Sequence, residues 1–569
     1  MPYENGVYFT SPGVAIVIND QNFQAPPNVG GLGVCFIGPT TDGQPNTTIS
    51  LSTPAQASAT LKGGDCLQAV LNAFNGATKA GGSLSNVWVI DPTPRTQATS
   101  TINSAGAVAQ IALTSTAYGT QANSSKWQVT AGVPGYNITE ATDFVGPGGQ
   151  LYPPTPISNL SLAPISLYYD GTGTTPTYTV SDSQLVLTAT TSDIGGTIAF
   201  TSSTTVQQLV NQINQLAGWN ATVTDPNPAD LVQALFDNVT TAATVSLVST
   251  TPTSLTANVT AVVRWFNAEN TFFTAVRQAG ATSLATASTW TYATGGTTPT
   301  ATNSNWQNAY TTAQSLTGVS LIAPVSPSYS LWAMNDAHCA YMTSQGQPRR
   351  GYLGDALAQT LATEQAQAAI LNSQFSTIVW PEQNGVDYNG NKTTFAPYLE
   401  AAAIMGERAA TPPYDALTQQ AVPSRGLGQP VTPGMVSQGL ASGIAVIAPN
   451  QSGIIVLQQD RTTWLQNTAY DKVENSTGLV AGIITADLLQ TLQPFIGKPV
   501  SNLTVAQAQS AVFARLNYWY AQNFLAAQPK MTDVALVGSG TAITASANAA
   551  LGLPTNYIAL QLYPTALGA

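Results

Sequence analysis

The chain has one histidine, so acid–base or metal chemistry would have to start there. His338 lies in Asn335-Asp336-Ala337-His338-Cys339, which sets a carboxylate, an imidazole and a thiol within a few residues. Groups at such short spacing point around a helix instead of converging on one substrate atom, and nucleophile and base usually meet from distant segments. The expected reading is a packed helix with no catalytic role. A single histidine leaves out most zinc sites. Cys35, Cys66 and Cys339 are too far apart for a ligand cluster or a disulfide framework, and are expected as reduced core residues. Gly30-Gly31-Leu32-Gly33 and Gly146-Pro147-Gly148-Gly149 lack the strand, helix and partner Lys or acid that a phosphate cradle needs. Two of the 27 acids could form a glycosidase pair, but no local spacing favours one. No enzyme activity, cofactor or metal is expected.

Only 8% of the 569 residues are Asp, Glu, Lys or Arg, against about 25% in ordinary soluble domains. The surface must then be covered by Thr, Ser, Asn, Gln, Ala and Gly. Neutral polar groups can be buried against a neighbour without the cost of desolvating an ion, several kcal/mol per charge. The composition therefore predicts a subunit surrounded by copies of itself. The net charge of −11 is scattered, and Arg349-Arg350 is the only adjacent basic pair, so nucleic-acid binding is not expected. No apolar run is long enough to insert into a membrane, and the opening Met1-Pro2-Tyr3-Glu4-Asn5 has no signal-peptide pattern, which makes the cytosol the expected place of synthesis.

The elements read as α/β mixed multidomain, with terminal strand arms. Residues 1–25 form an arm in which Val14, Ile16 and Ile18 alternate with Ala15 and Val17. Residues 552–569 mirror it, with Ile558, Leu560 and Leu562 alternating with Tyr557, Ala559 and Gln561. A lone strand is unstable in water, so each arm should be completed by a sheet, in its own subunit or another. Residues 26–93 read as α/β: strands at Val34–Gly38 and Asn86–Ile90 flank two helices, one capped by Thr53-Pro54 and one by Asp65. Residues 94–293 are Thr/Ser-rich, mostly strand, with one helix through Val206, Leu209, Val210, Ile213 and Leu216; they read as one or two inserted domains on the outside. Residues 294–551 are α/β again. They hold a hairpin at Gly443–Leu457 and a helix from Thr504 to Gln528, where Thr504 and Gln507 have capping-box spacing.

An ordered set of short segments resembles the contractile tail sheath proteins of bacteriophages. It comprises Ser11-Pro12-Gly13-Val14, Phe36-Ile37-Gly38-Pro39, Gly43-Gln44-Pro45-Asn46, Gly63-Gly64-Asp65 and Val87-Trp88-Val89 near the N-terminus. Gly295-Gly296, Asn305-Trp306-Gln307, Met342-Thr343-Ser344, Arg349-Arg350-Gly351, Asp460-Arg461-Thr462-Thr463 and Phe495-Ile496-Gly497-Lys498-Pro499 follow. The resemblance implies a sheath-type α/β core built from the N- and C-terminal regions, and a homo-oligomer of stacked sixfold rings around a tail tube protein. It also implies baseplate and tail terminator partners, assembly in the host cytoplasm and residence in the virion tail. The arms Val14–Ile18 and Tyr557–Leu562 would then add strands to neighbouring subunits. Gln507, Gln509 and Arg515 mark a candidate tube-facing helix, with an ordinary core helix as the alternative. Competing readings are a capsid or surface-layer subunit and a phage adhesin or depolymerase.

Overall fold

Val34-Cys35-Phe36-Ile37 is apolar without alternation, the mark of a strand covered on both faces. In the computed structural model, which describes residues 3–4, 7–8, 32–190, 195–201, 204–539 and 542–554, this segment is β1 (Gly33–Ile37), buried throughout. Next come β2 (Thr48–Leu51), α1 (Pro54–Leu61), α2 (Gly64–Lys79) and β3 (Val87–Ile90). After the insertion the chain continues through α3 (Asn303–Gln314), β4 (Val319–Pro324), α4 (Tyr329–Ser344), β5 (Arg350–Leu353), α5 (Leu361–Leu371) and β6 (Ser376–Trp380). It then adds α6 (Pro397–Ala410), α7 (Pro433–Ala441), β7 (Ile444–Pro449) and β8 (Ile455–Leu457). The strands form one eight-stranded sheet in the order β8-β7-β6-β5-β4-β1-β3-β2. The strands from β7 to β3 run parallel, and β8 and β2 close the edges antiparallel.

Helices cover both faces. Val34 and Phe36 face α2 and α6, whereas Cys35 and Ile37 face α3 and α4. Each such buried side chain contributes about 1.5–3 kcal/mol. Paired glycines let α2 and α6 cross in near contact: a Cβ on Gly76 would stand 1.9 Å from the Ala403 carbonyl oxygen, and one on Gly406 2.0 Å from that of Ala73. All three cysteines are free and buried.

The insertion between β3 and α3 builds two cores of its own. One lies among the strands Gln97–Asn103, Ala109–Tyr118, Ser125–Ala131, Tyr136–Thr142 and Phe273–Arg277 and the helix Asn258–Glu269. The other, nested inside it, lies among the strands between Ile165 and Leu255 and the helix Val206–Ile213. The helix Asn258–Glu269 corrects the expectation of one helix here. Its Val, Trp and Phe residues read as strand, and its first amides are held by Asp237, remote in sequence, at 2.8 and 3.0 Å.

Beyond β8, α8 (Asn475–Leu492), α9 (Asn502–Ala521), β9 (Val534–Ser539) and β10 (Ala542–Ala547) form a C-terminal unit around Val480, Val512, Leu516, Trp519, Phe524 and Leu536. Two cap expectations are corrected. Ser501, not Thr504, caps α9, its hydroxyl accepting from the Thr504 amide at 3.1 Å, and the helix ends at Ala521. Gly63 stands at the start of α2, while Asp65 lies inside its first turn and accepts from the Tyr398 hydroxyl at 2.8 Å.

Candidate functional site

His338 lies on α4 with its neighbours pointing apart. Asn335 accepts from the Tyr310 hydroxyl at 3.0 Å, and Asp336 from Ser376 Oγ at 2.7 Å. The His338 Nε2 accepts from Arg349 Nη1 at 2.7 Å. Arg349 in turn donates to the carbonyls of Ala313 and Leu316, at 2.9 and 2.7 Å. Burial, then the guanidinium beside it, push the imidazole down to about 4. It is a neutral acceptor that helps an arginine tie α4 to the end of α3. Arg350 is buried too and donates to the Gln374 carbonyl, so the one basic pair is internal structure.

A doubly wound sheet binds ligands where the strand order reverses, at the carboxyl ends of its strands. Here that point is β1, between β3 and β4. It is filled by an ion pair. Arg95 Nη1 stands 3.0 Å from Asp91 Oδ2, and Thr40 Oγ1 lies 2.6 Å from the same oxygen. Asp42 pairs with Lys62 at 2.8 Å and accepts from the Tyr118 amide of the insertion at 2.8 Å. The place of a ligand is taken by a joint that fastens the insertion to the sheet.

The opposite end, at the amino termini of β4 and β5, carries the C-terminal unit. A buried network seats the first turn of α8: Asn475 Nδ2 donates to Tyr352 Oη at 2.7 Å and to Thr377 Oγ1 at 3.2 Å. Asp460 accepts from Tyr352 at 3.3 Å and faces Arg408 at 3.7 Å. Between this unit and the loop Ser344–Pro348 runs a groove of about 1000 Å³, lined by Leu489, Leu492, Phe495, Ile496, Ile543 and Ala545 among others. Above it, β9 and β10 pair with each other and with no further strand among the described residues. Among the described residues the outer edge of β10 has no strand partner and so is a place where a further strand could pair.

The proposed site residues fall as follows. Gln507 is exposed on α9. Gln509 donates to the Val534 carbonyl at 2.6 Å and so fixes β9. Arg515 is turned into the unit, where Asp487 takes its Nη2 at 2.7 Å together with the Trp519 indole at 2.6 Å. Val14, Ala15, Ile16, Val17 and Ile18, and Tyr557, Ile558, Ala559, Leu560, Gln561 and Leu562, lie outside the described residues. The β9–β10 hairpin is an element that the sequence reading missed; the alternation of Val534 and Leu536 ahead of the glycine-containing segment Gly538-Ser539-Gly540-Thr541 is the sequence signal for it.

No protein-family model and no curated protein matches the sequence. Among solved structures the chain is similar to the sheath tail protein of Desulfitobacterium hafniense, with a TM-score of 0.56 at 14% identity over 95% of this chain and 97% of that one. It is also similar to the sheath tail protein of Listeria innocua, with a TM-score of 0.50 at 12% identity over 89% of this chain and 88% of that one. The mixed α/β, multidomain architecture built around the eight-stranded sheet is thus a fold shared with sheath tail proteins.

Proposed function

We propose that the chain is a structural subunit of a contractile tail sheath and not an enzyme. The observation that carries this reading is the fold shared with a sheath tail protein along 95% of the chain. Subunits would stack as sixfold rings around a tail tube in the virion, bounded by baseplate and terminator proteins. Contraction would drive the tube through the host envelope. The β9–β10 hairpin supplies the acceptor such an assembly needs: its open edges can take strands from neighbours, with main-chain hydrogen bonds giving continuity while each body rotates. The arms Val14–Ile18 and Tyr557–Leu562 have the alternating pattern of such strands. Few charges need to be stripped of water as contacts are remade.

Negative-stain electron microscopy of the purified protein tests the reading. Hollow tubes or stacked rings are expected; closed shells or flat lattices would replace it with a capsid or surface-layer role. Removal of residues 1–20 should leave a folded monomer that makes no long tubes.

A further inference from the structure

Three carboxyls from three segments meet at the carboxyl ends of β5 and β6. Asp355 follows β5, Glu382 follows β6, and Glu364 stands in the first turn of α5; they are 4%, 6% and 0% exposed. Asp355 and Glu382 both have donors. Tyr329 Oη and the Ala356 amide donate to Asp355, the amide at 2.6 Å, and Gln429 Nε2 donates to Glu382 Oε2 at 2.8 Å. Glu364 differs: Oε1 and Oε2 are both buried, and neither has a hydrogen-bond partner among the described residues.

No cation balances the three. None of the ion pairs among the described residues includes them. The elements that pack on α5 are β6 (Ser376–Trp380), β7 (Ile444–Pro449) and α7 (Pro433–Ala441), and none carries a titratable side chain. The groups that face Glu364 are Asp355 from the loop before α5, Glu382 from the segment after β6, and Tyr329 from the start of α4. Burying a carboxylate without a partner is costly, so Glu364 is held by a proton. Burial, then Asp355 and Glu382, push it up to about 8. The loop 354–360 above it is tied down by side chains. Trp380 Nε1 and Gln429 Nε2 both donate to the Gln359 carbonyl at 3.2 Å, and Tyr329 holds Asp355. Within the loop Ala358 has a φ of 61°, in the left-handed region that non-glycine residues avoid, and Leu357 is 48% exposed.

We propose that Asp355, Glu364 and Glu382 form a proton-operated clasp. Protonated Glu364 lets the loop 354–360 and the first turn of α5 close on the ends of β5 and β6; ionised Glu364, facing two carboxylates and no cation, releases them. The closed clasp keeps its proton up to about pH 8, whereas the open one gives it up near an ordinary 4.5. Closure therefore weakens as pH rises between those values, by up to about tenfold per unit, and no further above them. Opening uncovers Leu361 and Trp380, part of the core that α5 shares with β5, β6 and β7. The clasp is a property of the single chain, whatever assembly the chain enters.

Hydrogen exchange of the full chain across the range from acid to alkaline, corrected for the intrinsic rate, tests this. Protection of the amides of residues 356–366 should fall by up to about tenfold per pH unit and level off near pH 8, while α6 remains more protected. Glu364→Gln keeps the shape of the protonated side chain without its charge, and should abolish the fall. Asp355→Asn keeps an acceptor for Tyr329 but removes one of the two facing carboxylates, and should bring the levelling point to lower pH. A fall that Glu364→Gln leaves in place overturns the clasp. So does loss of protection in step with α6, which would make the opening global, and so does a levelling point that Asp355→Asn does not move.

Discussion

Glu364, Glu400 and Glu407 are buried carboxyls in a chain that has few charges to spare. Burial pushes each up to about 8 from an ordinary 4.5, with Asp355 and Glu382 adding to the effect at Glu364, and Asp460 at Glu407, where Arg408 and Lys79 oppose it. The folded chain therefore holds more protons than the unfolded chain between those values. Its stability should fall as pH rises through that window, each group contributing a slope of up to about 1.4 kcal/mol per pH unit, and the loss is complete above pH 8. Glu400→Gln should flatten the profile and be more stable than the parent at pH 9 by about 1–3 kcal/mol; urea unfolding at pH 5, 7 and 9 checks this. At the joint below the insertion, Arg95→Met strands the buried Asp91 and should cost about 3–5 kcal/mol in the same measurement. The sequence places these acids and this arginine but not their burial, because nothing local distinguishes Glu400 from an exposed glutamate.

Among the elements, the α2–α6 crossing is the most exacting. With backbone oxygens 1.9 and 2.0 Å from the added methyl positions, Gly76→Ala or Gly406→Ala must push the two helices apart. Overpacking of this kind costs about 1–3 kcal/mol or more, read as a lowered thermal midpoint, whereas Gly81→Ala puts its methyl in open space and meets only backbone strain. Strands with periodic or continuous apolar residues, such as β1, β3 and the β7–β8 hairpin, are legible from sequence. So are helices with local caps, such as Thr53 with α1 and Thr205 with Val206–Ile213. The helix Asn258–Glu269 was not, because its cap comes from Asp237. Motif residues likewise gain their reason only in place: Gly351 is glycine because a Cβ there would stand 2.2 Å from Asn335 Nδ2.

At the scale of the whole molecule, the insertion leaves the carboxyl end of β3 while the C-terminal unit sits at the amino ends of β4 and β5. The two lie at opposite poles of one parallel sheet. The nested part of the insertion is separable by its geometry, since Ala257 N donates to the Leu162 carbonyl at 2.7 Å. A chain lacking residues 163–256, joined by a short glycine linker, should stay folded and still form tubes. It should lose about 1–2 kcal/mol with the Asp237 cap, and further stability with the Asp182 partner of the half-buried Arg277; calorimetry and microscopy together check this, and failure to assemble would place this part in a contact between subunits. The sequence by itself determined the neutral composition, the alternating arms, the α/β periodicity and the order of short segments that resembles sheaths, because these are local patterns. Only the tertiary structure decided that the ligand crevice of the sheet is filled by Asp91 and Arg95, that Arg349 and Arg350 are internal, and that the β9–β10 hairpin, with no further strand beside it among the described residues, stands over a groove. Those depend on which distant segments meet, and no local pattern records that.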